Sequence, residues 1–381
     1  MPGIQKRESA VDPAAAPVPI DRSFYAEQSG IADDAEAHYT RTGWRSGYDP
    51  TRFFLTRWYA WQNPDWDRAH PHPYAHYLDL GCAQNRDPSP FVDMTRYAQV
   101  AGSSDGAAAY RAILAGQRSP ALGVYDGVAD LQTQQDRFRA AIRVTAVRPR
   151  LSAPPRRNLV VLQKGTGTSH AHWDGAARDW DLLVNYFDAC DCDPTFGDLV
   201  FAQKGTKFTA MAALWQLHGE LFLPYDNVLF LDDDIDVGAD DLNRFFDRAT
   251  LLGLDLAQMS LSADSHCIWP SLFHDPASPG HRLVNAVEIM MPMLSRRALG
   301  LLAPSFRESV SGFGLDLLWG KTIAAAGGRA AIIDAVQAAH RKPIDDGQGA
   351  YYAYLRANMI NPKAELWHLI QTHALDWHVG G

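Results

Sequence analysis

Three consecutive carboxylates close an apolar run in VLFLDDDID, Val228–Asp236, and a fourth follows one residue later. Carboxylates stacked at the end of a buried strand repel one another, and their proton affinities rise unless a cation or hydrogen-bond donors offset the charge. A divalent ion is the economical answer. Residues two apart on an extended strand point the same way, so Asp232 and Asp234 are placed to converge on one ion while Asp233 points elsewhere. Oxygen ligands of this kind suit Mg²⁺ or Mn²⁺, which commonly also bind substrate phosphates. The plainer reading is an acidic loop leading into the helix DLNRFFDRATLL, with Asp240 as its N-cap. An EF-hand is excluded, because counting from Asp232 puts Val237 at the loop's glycine position and Asn243 at that of the bidentate glutamate.

The elements that must position these carboxylates are legible around them. After the Pro-rich boundary LSAPPRR, Leu151–Arg157, short apolar runs alternate with helical stretches: NLVVLQK, DLLVNYFD, LVFAQ, NVLFLDDD, LAQMSLS and RAAIIDAV. This alternation is the signature of an α/β fold. The runs are continuous rather than alternating, as strands covered on both faces require, so a mostly parallel sheet between helices is predicted. The carboxyl ends of such strands are where ligands bind. Lys204 and Lys207 stand just before the helix KFTAMAALWQLHGELF, where they could face phosphates. Arg341 and Lys342 are in a similar position after the last strand. The Gly165–Ser169 turn after the first strand lacks both P-loop and GxGxxG spacing. His170 and His172 beside it make only a weak case for a second metal. Ser262–His281, rich in polar and aromatic residues, reads as a lid-like loop.

Upstream, AHYTRTGWRSGYDP at Ala37–Pro50 returns as AHYLDLGCAQNRDP at Ala75–Pro88, an offset of 76 − 38 = 38 residues. A partial earlier copy begins at Phe24-Tyr25-Ala26. These units resemble the HYLxxGxxEGRxPxPxFD repeats that accompany many bacterial polysaccharide-assembly glycosyltransferases. They carry no obvious catalytic set, and His38 and His76 most simply pack or hydrogen-bond within each unit. The chain is thus expected to comprise a tail over 1–21, a helical repeat module over 22–101, a helical connector over 102–155, a catalytic domain over 156–345 and an extension over 346–381.

A second motif, Ser311-Gly-Phe-Gly-Leu-Asp316, precedes LLWGKTIAAAGG and then a strand leading to Ala339-His340-Arg341-Lys342-Pro343. The order resembles GT-A glycosyltransferases, in which a DxD strand end is followed by a Gly-aromatic-Gly-x-Asp/Glu segment and a later metal-binding histidine. More narrowly, FLDDDI, GFGLD and IIDAVQAAHRKP are similar to uncharacterised glycosyltransferase-like proteins of plants and bacteria, over Asn158–Pro343. The resemblance implies a GT-A-like domain using Mn²⁺ or Mg²⁺, with a nucleotide sugar as donor and a polysaccharide or glycolipid hydroxyl as acceptor. It implies a metal held by Asp232, Asp234 and His340, with Asp232 and Asp234 also the donor motif; Asp233, Lys204 and Lys207 are added as expected donor contacts, although at least one of the two lysines reads more simply as a solvated surface residue. Asp316 would be the catalytic base, with Gly312 and Gly314 letting the backbone approach the ligand. Phe313 stands where many relatives carry Trp. For Asp316 the plainer reading is a helix N-cap, and for His340 a satisfied strand-end histidine.

Composition narrows the alternatives. The 381 residues carry Lys+Arg 35 against Asp+Glu 44, a net charge of -9, which offers no nucleic-acid footprint and no polybasic membrane patch. Four cysteines, Cys82, Cys190, Cys192 and Cys267, read as free thiols rather than as a disulfide or zinc framework. The N-terminus has no continuous apolar stretch of a signal peptide, and no segment has the roughly 20 apolar residues of a membrane span. A cytoplasmic protein without a transmembrane segment is expected, with protein partners possible through the repeats. Two other functions compete. One is a non-catalytic sugar-binding or scaffold protein of polysaccharide assembly. The other is a haloacid-dehalogenase-type phosphatase reading Asp234-Ile-Asp236-Val as its motif; that motif belongs on a first strand, whereas three strands precede it here.

Overall fold

The computed structural model of the protein describes residues 19–166, 170–173, 176–188, 192–344, 347 and 349–376. The chain divides into two compact units, Met1–Tyr125 and Asp126–Gly381. The segment expected as a connector is shared between them. Its helix Gly106–Leu114 belongs to the first unit and its helix Val128–Ala141 to the second. As far as Val18, the expected tail lies outside the described residues.

The first unit consists of short helices that recur. In each copy a four-residue helix runs into a π-helical turn, Tyr39–Gly43 and Tyr77–Gly81, 77 − 39 = 38 residues apart. The Tyr25 hydroxyl bonds to His38 Nδ1 at 2.8 Å, and the Tyr59 hydroxyl bonds to His76 Nδ1 at 2.9 Å, so both histidines hydrogen-bond within the repeats. A side chain on Gly43 would run into the Tyr25 hydroxyl, and one on Gly81 into that of Tyr59. Glycine at these positions follows from the tyrosine–histidine pair. The aspartates of the two Asp-Pro steps start the next helices: Asp49 Oδ1 accepts from Thr56 N–H at 2.7 Å and Asp87 Oδ1 from Met94 N–H at 2.8 Å.

The second unit carries a ten-stranded sheet among the described residues. In chain order its strands are β1 (Thr145–Arg148), β2 (Asn158–Lys164), β3 (Trp180–Tyr186), β4 (Leu199–Ala202), β5 (Asn227–Asp232), β6 (Ile235–Asp236), β7 (Leu256–Leu261), β8 (Arg282–Leu283), β9 (Met293–Ser295) and β10 (Ala330–His340). They lie in the order β1-β4-β3-β2-β5-β9-β7-β10-β6, with β8 also on β10. β2, β3, β4, β5, β7 and β10 run one way, and β1, β6, β8 and β9 oppose them. The fold is therefore α/β with a mostly parallel sheet.

Leu159–Leu162 and Val228–Leu231 are fully buried, which is why these strands read as unbroken apolar runs. The helix Lys207–His218 covers the sheet through Phe208, which meets Phe230, Phe306 and Trp319. The helix Ala239–Leu251 buries Leu242, Phe245, Phe246 and Ala249, an i, i+3, i+4, i+7 stripe. Its N-cap is Gly238, not Asp240; Asp240 and Asp241 lie in the first turn, where they favour the positive end of the helix dipole. Cys82, Cys192 and Cys267 are free, and Cys190 lies outside the described residues. Among the described residues no helix is long and apolar enough to cross a membrane.

Candidate active site

β3 and β4 lie to one side of β2, and β5 returns to its other side. At the carboxyl ends of β2 and β5 the connections therefore diverge, the switch point at which open α/β sheets bind ligands. Asp232 ends β5 there, in register with Gln163 of β2. Beyond the turn at Asp233 and Asp234 the chain forms β6, which pairs with the tip of β10 so that Ile235 lies opposite His340. This two-residue pairing carries Asp234 to His340, with Oδ2 to Nε2 at 3.5 Å.

The three carboxylates have different partners. Asp233 Oδ2 accepts the Gly165 N–H at 2.6 Å, tying the turn after β5 to the exit of β2. This bond gives Asp233 a structural role at a position expected to contact a ligand. Asp232 Oδ1 lies 2.9 Å from the Lys207 ammonium, and its N–H donates to the Met290 carbonyl at 3.0 Å. Lys207 Nζ also donates to the carbonyls of Ile289 and Met290, at 2.6 and 2.9 Å. With three acceptors for its three hydrogens, Lys207 pins the site together and does not face phosphates as expected. Lys204 is exposed, 5.9 Å from the Tyr354 ring centre.

Proton affinities follow this arrangement. Asp232 keeps 36 % of its side chain exposed, but burial of the remainder pushes its carboxyl up to about 6; Lys207 works against that rise, and Asp234 and Asp233 add to it. For Asp234, burial favours the protonated form, but His340 and Lys342 outweigh it and the carboxyl lies below its ordinary range. For His340, burial disfavours the cation, yet Asp234 and the His266 carbonyl raise it overall.

The chemistry of this pair fits a divalent cation. His340 Nδ1 is 2.7 Å from the His266 carbonyl, which only accepts, so Nδ1 carries a hydrogen and Nε2 is turned to Asp234. A carbonyl behind the imidazole is the usual support for a metal-ligating histidine. The 3.5 Å between Nε2 and Oδ2 is long for a hydrogen bond. Two ligands of one ion lie roughly 3 Å apart for bonds of about 2.1 Å at a right angle, so a modest approach would let both atoms share a cation. The expected trio is not assembled. Among the described residues no group of three or more His, Cys, Asp or Glu is placed to hold a metal, since Lys207 engages Asp232. Mg²⁺ and Mn²⁺ need no more than one or two such side chains when phosphate oxygens supply the rest.

Asp316 is the second residue of the helix Leu315–Ala325, whose N-cap is Gly314, so it is not the cap. Burial pushes its carboxyl up to about 6, opposed by the Leu317 N–H that it accepts at 2.9 Å. Gly312 and Gly314 have φ of 83° and 85°, conformations that favour glycine. A Cβ on Gly312 would meet Ile289 at 3.0 Å and Phe208 at 3.5 Å, and one on Gly314 would meet Leu369 at 3.1 Å and Leu366 at 3.2 Å. Contrary to expectation, the missing side chains make room for the turn and the core rather than for a ligand. The loop is held from the C-terminal segment. The fully buried Glu365 accepts the N–H groups of Val310 and Ser311 at 2.7 and 2.8 Å and the Gln135 amide at 2.7 Å. The Tyr351 hydroxyl donates to the Ser311 carbonyl at 2.7 Å. Phe313 meets Tyr352 edge-on at 6.2 Å.

Glu288, absent from the predicted site, directly precedes the two residues whose carbonyls Lys207 holds. Its N–H donates to Gln258 Oε1 at 2.7 Å, and its Oε2 accepts from Met290 N–H at 2.5 Å. Burial pushes its carboxyl up to about 7, with Asp316 and Asp232 adding to the rise. The one signal for it in the sequence is a lone acid inside the apolar stretch AVEIMMPML.

The remaining predicted groups are engaged elsewhere. Arg341 pairs with Asp264 and Asp236. Arg282 braces the lid-like segment to β10, bonding Asp334 at 2.8 Å and the carbonyls of Ser271 and Phe273 at 2.7 and 2.8 Å. His172 Nε2 and Trp173 Nε1 both reach the Val237 carbonyl at 3.0 Å, which packs that loop against the exit of β6. Thr166 N–H donates to Asp188 at 2.7 Å, while Gly167–Ser169 of the turn lie outside the described residues.

No protein-family model matches the chain, and no curated protein matches it. A solved structure described as "Crystal Structure of A197 from STIV" is similar over 48% of this chain and 84% of that one, with 13% identity and a TM-score of 0.28. At that score the likeness carries no weight for fold or function.

Proposed function

We propose that the second unit is a metal-dependent, GT-A-type glycosyltransferase that moves a sugar from a nucleotide-sugar donor to a hydroxyl of a saccharide or glycolipid acceptor. One observation carries the proposal: β6 brings Asp234 to 3.5 Å from His340 at the end of β5, and the Ile289–Met290 turn that Lys207 ties to Asp232 packs against Gly312 of the second motif. The place where they meet is at the switch point of a mostly parallel sheet, where phosphate-bearing ligands are commonly held.

Asp234 and His340, with Asp232 beside them, would hold Mg²⁺ or Mn²⁺. Held by these residues, such an ion would supply positive charge against the negative charge that develops on the leaving diphosphate. Lys207 keeps Asp232 and the Ile289–Met290 turn in place. In the reaction the acceptor oxygen bonds to the anomeric carbon and the bond from that carbon to the phosphate oxygen breaks. The electron pair leaves on the nucleoside diphosphate, and the hydroxyl proton passes to the Asp316 carboxylate. With its carboxyl near 6, Asp316 is ionised at neutral pH yet more basic than an ordinary aspartate, as a general base should be. Direct displacement of this kind inverts the anomeric centre.

The test is a calorimetric and thermal-shift screen of UDP-, GDP- and other nucleotide sugars with and without Mn²⁺, on wild type and Asp234→Ala. Metal-dependent binding that Asp234→Ala abolishes is expected. No binding of any donor by the wild type would remove the transferase reading and favour a scaffold.

A further inference from the structure

We infer that His70 and His76 of the second repeat bind one divalent transition-metal ion, Zn²⁺ by the chemistry of its ligands, with Asp65 as the third side chain. Each imidazole engages one nitrogen and leaves the other buried with no hydrogen-bond partner among the described residues, Nδ1 in His70 and Nε2 in His76. The rings stand edge to face, with centres 4.9 Å apart and planes at 84°. An ion about 2.1 Å from an imidazole nitrogen lies about 3.2 Å from the ring centre, so two imidazoles on one ion have centres roughly 4.5–5.2 Å apart for ligand angles from a right angle to tetrahedral. Edge-to-face packing alone accounts for the spacing but not for the two nitrogens, each of which carries the cost of a buried polar atom without a partner.

The engaged nitrogens are braced as those of metal-ligating histidines are. His70 Nε2 lies 2.9 Å from Asp79 Oδ2, and because a carboxylate only accepts, Nε2 carries the hydrogen and Nδ1 is bare. His76 Nδ1 lies 2.9 Å from the Tyr59 hydroxyl, whose oxygen can take the ring hydrogen and leave Nε2 bare as well. Asp65 Oδ2 is 3.8 Å from His76 Nε2, against roughly 3.4 Å for two ligands of one tetrahedral ion, so a small approach completes a set of two nitrogens and one oxygen. Arg86 holds that carboxylate at 2.8 and 2.9 Å and fixes its place, while Asp79, behind His70, adds a second negative charge. Water takes the fourth position, as in zinc sites with three protein ligands. The His76 side chain is 1 % exposed and that of Asp65 33 %, so the ion has a way in on the Asp65 side.

The first repeat shows what the second adds. Tyr25 and His38 are 13 residues apart and Tyr59 and His76 are 17 apart, so the second copy is 17 − 13 = 4 residues longer between the paired groups. Asp65 and His70 both lie on that longer connection. Asp79 stands where the first copy has Arg41, 79 − 41 = 38 residues earlier, and Arg86 stands where it has Tyr48, 86 − 48 = 38 residues earlier. The Tyr48 ring lies 6.2 Å from that of His38. The first copy thus sets an aromatic ring beside its histidine, whereas the second sets a histidine and a carboxylate there. Bound between them, the ion ties the turn Pro64–Arg68 to the helix Pro73–His76.

The experiment titrates Zn²⁺ by calorimetry, and Co²⁺ by its visible absorption, into the full chain carrying Asp234→Ala, which sets aside the strand-end carboxylates of the second unit. His70→Gln, Asp79→Asn and His38→Gln are each added to that chain. The Asp234→Ala chain should bind one ion. His70→Gln should weaken it by about 100-fold or more and Asp79→Asn by about tenfold, while His38→Gln leaves the Kd within about twofold. Saturating Zn²⁺ should raise the urea midpoint of the Asp234→Ala chain and not that of the chain also carrying His70→Gln. No ion bound by the Asp234→Ala chain would overturn the site, as would a loss with His38→Gln equal to that with His70→Gln. Unchanged affinity in His70→Gln would do the same, or in Asp79→Asn should His70→Gln fail to fold, since the Asp79 side chain is 79 % exposed and its change leaves the core alone. The transferase reading stands or falls separately, on donor binding.

Discussion

In the repeats of the first unit each histidine of the AHY motif ends on a tyrosine of the same repeat, Tyr25 with His38 and Tyr59 with His76. At the strand ends of the second unit, Asp232 ends on a lysine, Asp234 on a histidine at 3.5 Å, and Asp316 and Glu288 on single backbone amides. Both regions put ionisable or polar groups into partly apolar surroundings. In the repeats the partner comes with the motif, and the glycine beneath each pair is there to let the tyrosine pass. At the strand ends and beside them Asp232, Glu288 and Asp316 have raised proton affinities, while His340 holds Asp234 below its ordinary range. A polar group whose partner comes with its motif helps to fix a fold, whereas a carboxylate of raised proton affinity at a strand end is a candidate for ligand binding.

The hardest way to break this comparison is to remove a carboxylate from each side. Asp316→Asn and Asp234→Asn should each lower transfer by about 10²–10⁴-fold while the protein still unfolds cooperatively. Transfer is followed by release of the nucleoside diphosphate. Asp49→Asn, which touches only a helix start in the repeats, should leave kcat within about twofold. A transferase that survives loss of Asp316 would mean the base is elsewhere, and Glu288 would be the first alternative.

The next effect belongs to the repeats. Gly81→Ala forces a methyl group against the Tyr59 hydroxyl and breaks its bond to the buried His76, which should cost about 2–4 kcal/mol. Gly102→Ala is the contrast: it has a positive φ of 66°, which Gly81 does not, but nothing near the new methyl, so a cost of about 1 kcal/mol from backbone strain alone is expected. Urea midpoints at constant m give both numbers. Equal costs would show that the Tyr59–His76 pair is not what fixes the glycine.

How far the sequence carried these conclusions differs between elements for physical reasons. β2, β5 and β7 were legible because both faces are covered and the run is apolar throughout. The repeats were legible because identity recurs at a fixed offset. β6, β8 and β9 were not, since two or three residues hold no periodicity; yet β6 is what carries Asp234 to His340. The type and position of Lys207 allow a ligand contact, and only its three-dimensional partners show that its three hydrogens are engaged. Glu288 in sequence is only a lone acid beside an apolar run. Glu365, which holds the Asp316 loop, lies 365 − 316 = 49 residues further along the chain, with no local pattern to mark it.

A smaller effect sharpens the comparison through pH. Asp316 sits near 6 when folded and near 3.9 when unfolded, so the folded state holds its proton more tightly. Its ionisation therefore weighs against folding, not at all below about pH 4, increasingly from 4 to 6, and fully above 6. Asp316→Asn should be more stable than wild type by about 1–2 kcal/mol at pH 7.5, after allowance for cleft water, with the gap closing toward pH 4. His72 in the repeats has the opposite sign. Burial and His70 lower it to about 4, so the stability its neutral form provides is lost as the pH falls from about 6.5 to 4. Urea midpoints at pH 7.5, 5.5 and 4 separate the two. An Asp316→Asn gap that did not change with pH would mean the gain comes from packing and not from charge.

The smallest effect concerns two lysines three residues apart. Lys204 and Lys207 are equally plausible phosphate contacts by sequence, but Lys204 is exposed over the Tyr354 ring, whereas Lys207 is engaged by Asp232 and two carbonyls. An exposed contact of a cation with an aromatic face contributes about 0.5–1 kcal/mol at most. Lys204→Ala should therefore shift the urea midpoint by no more than that and leave the donor Kd within about twofold, because nothing ties it to the cleft. A tenfold loss of donor affinity would put Lys204 among the phosphate contacts after all. It would also weaken the distinction drawn between the units, since a solvated side chain, and not one left partly satisfied inside the cleft, would then be holding the ligand.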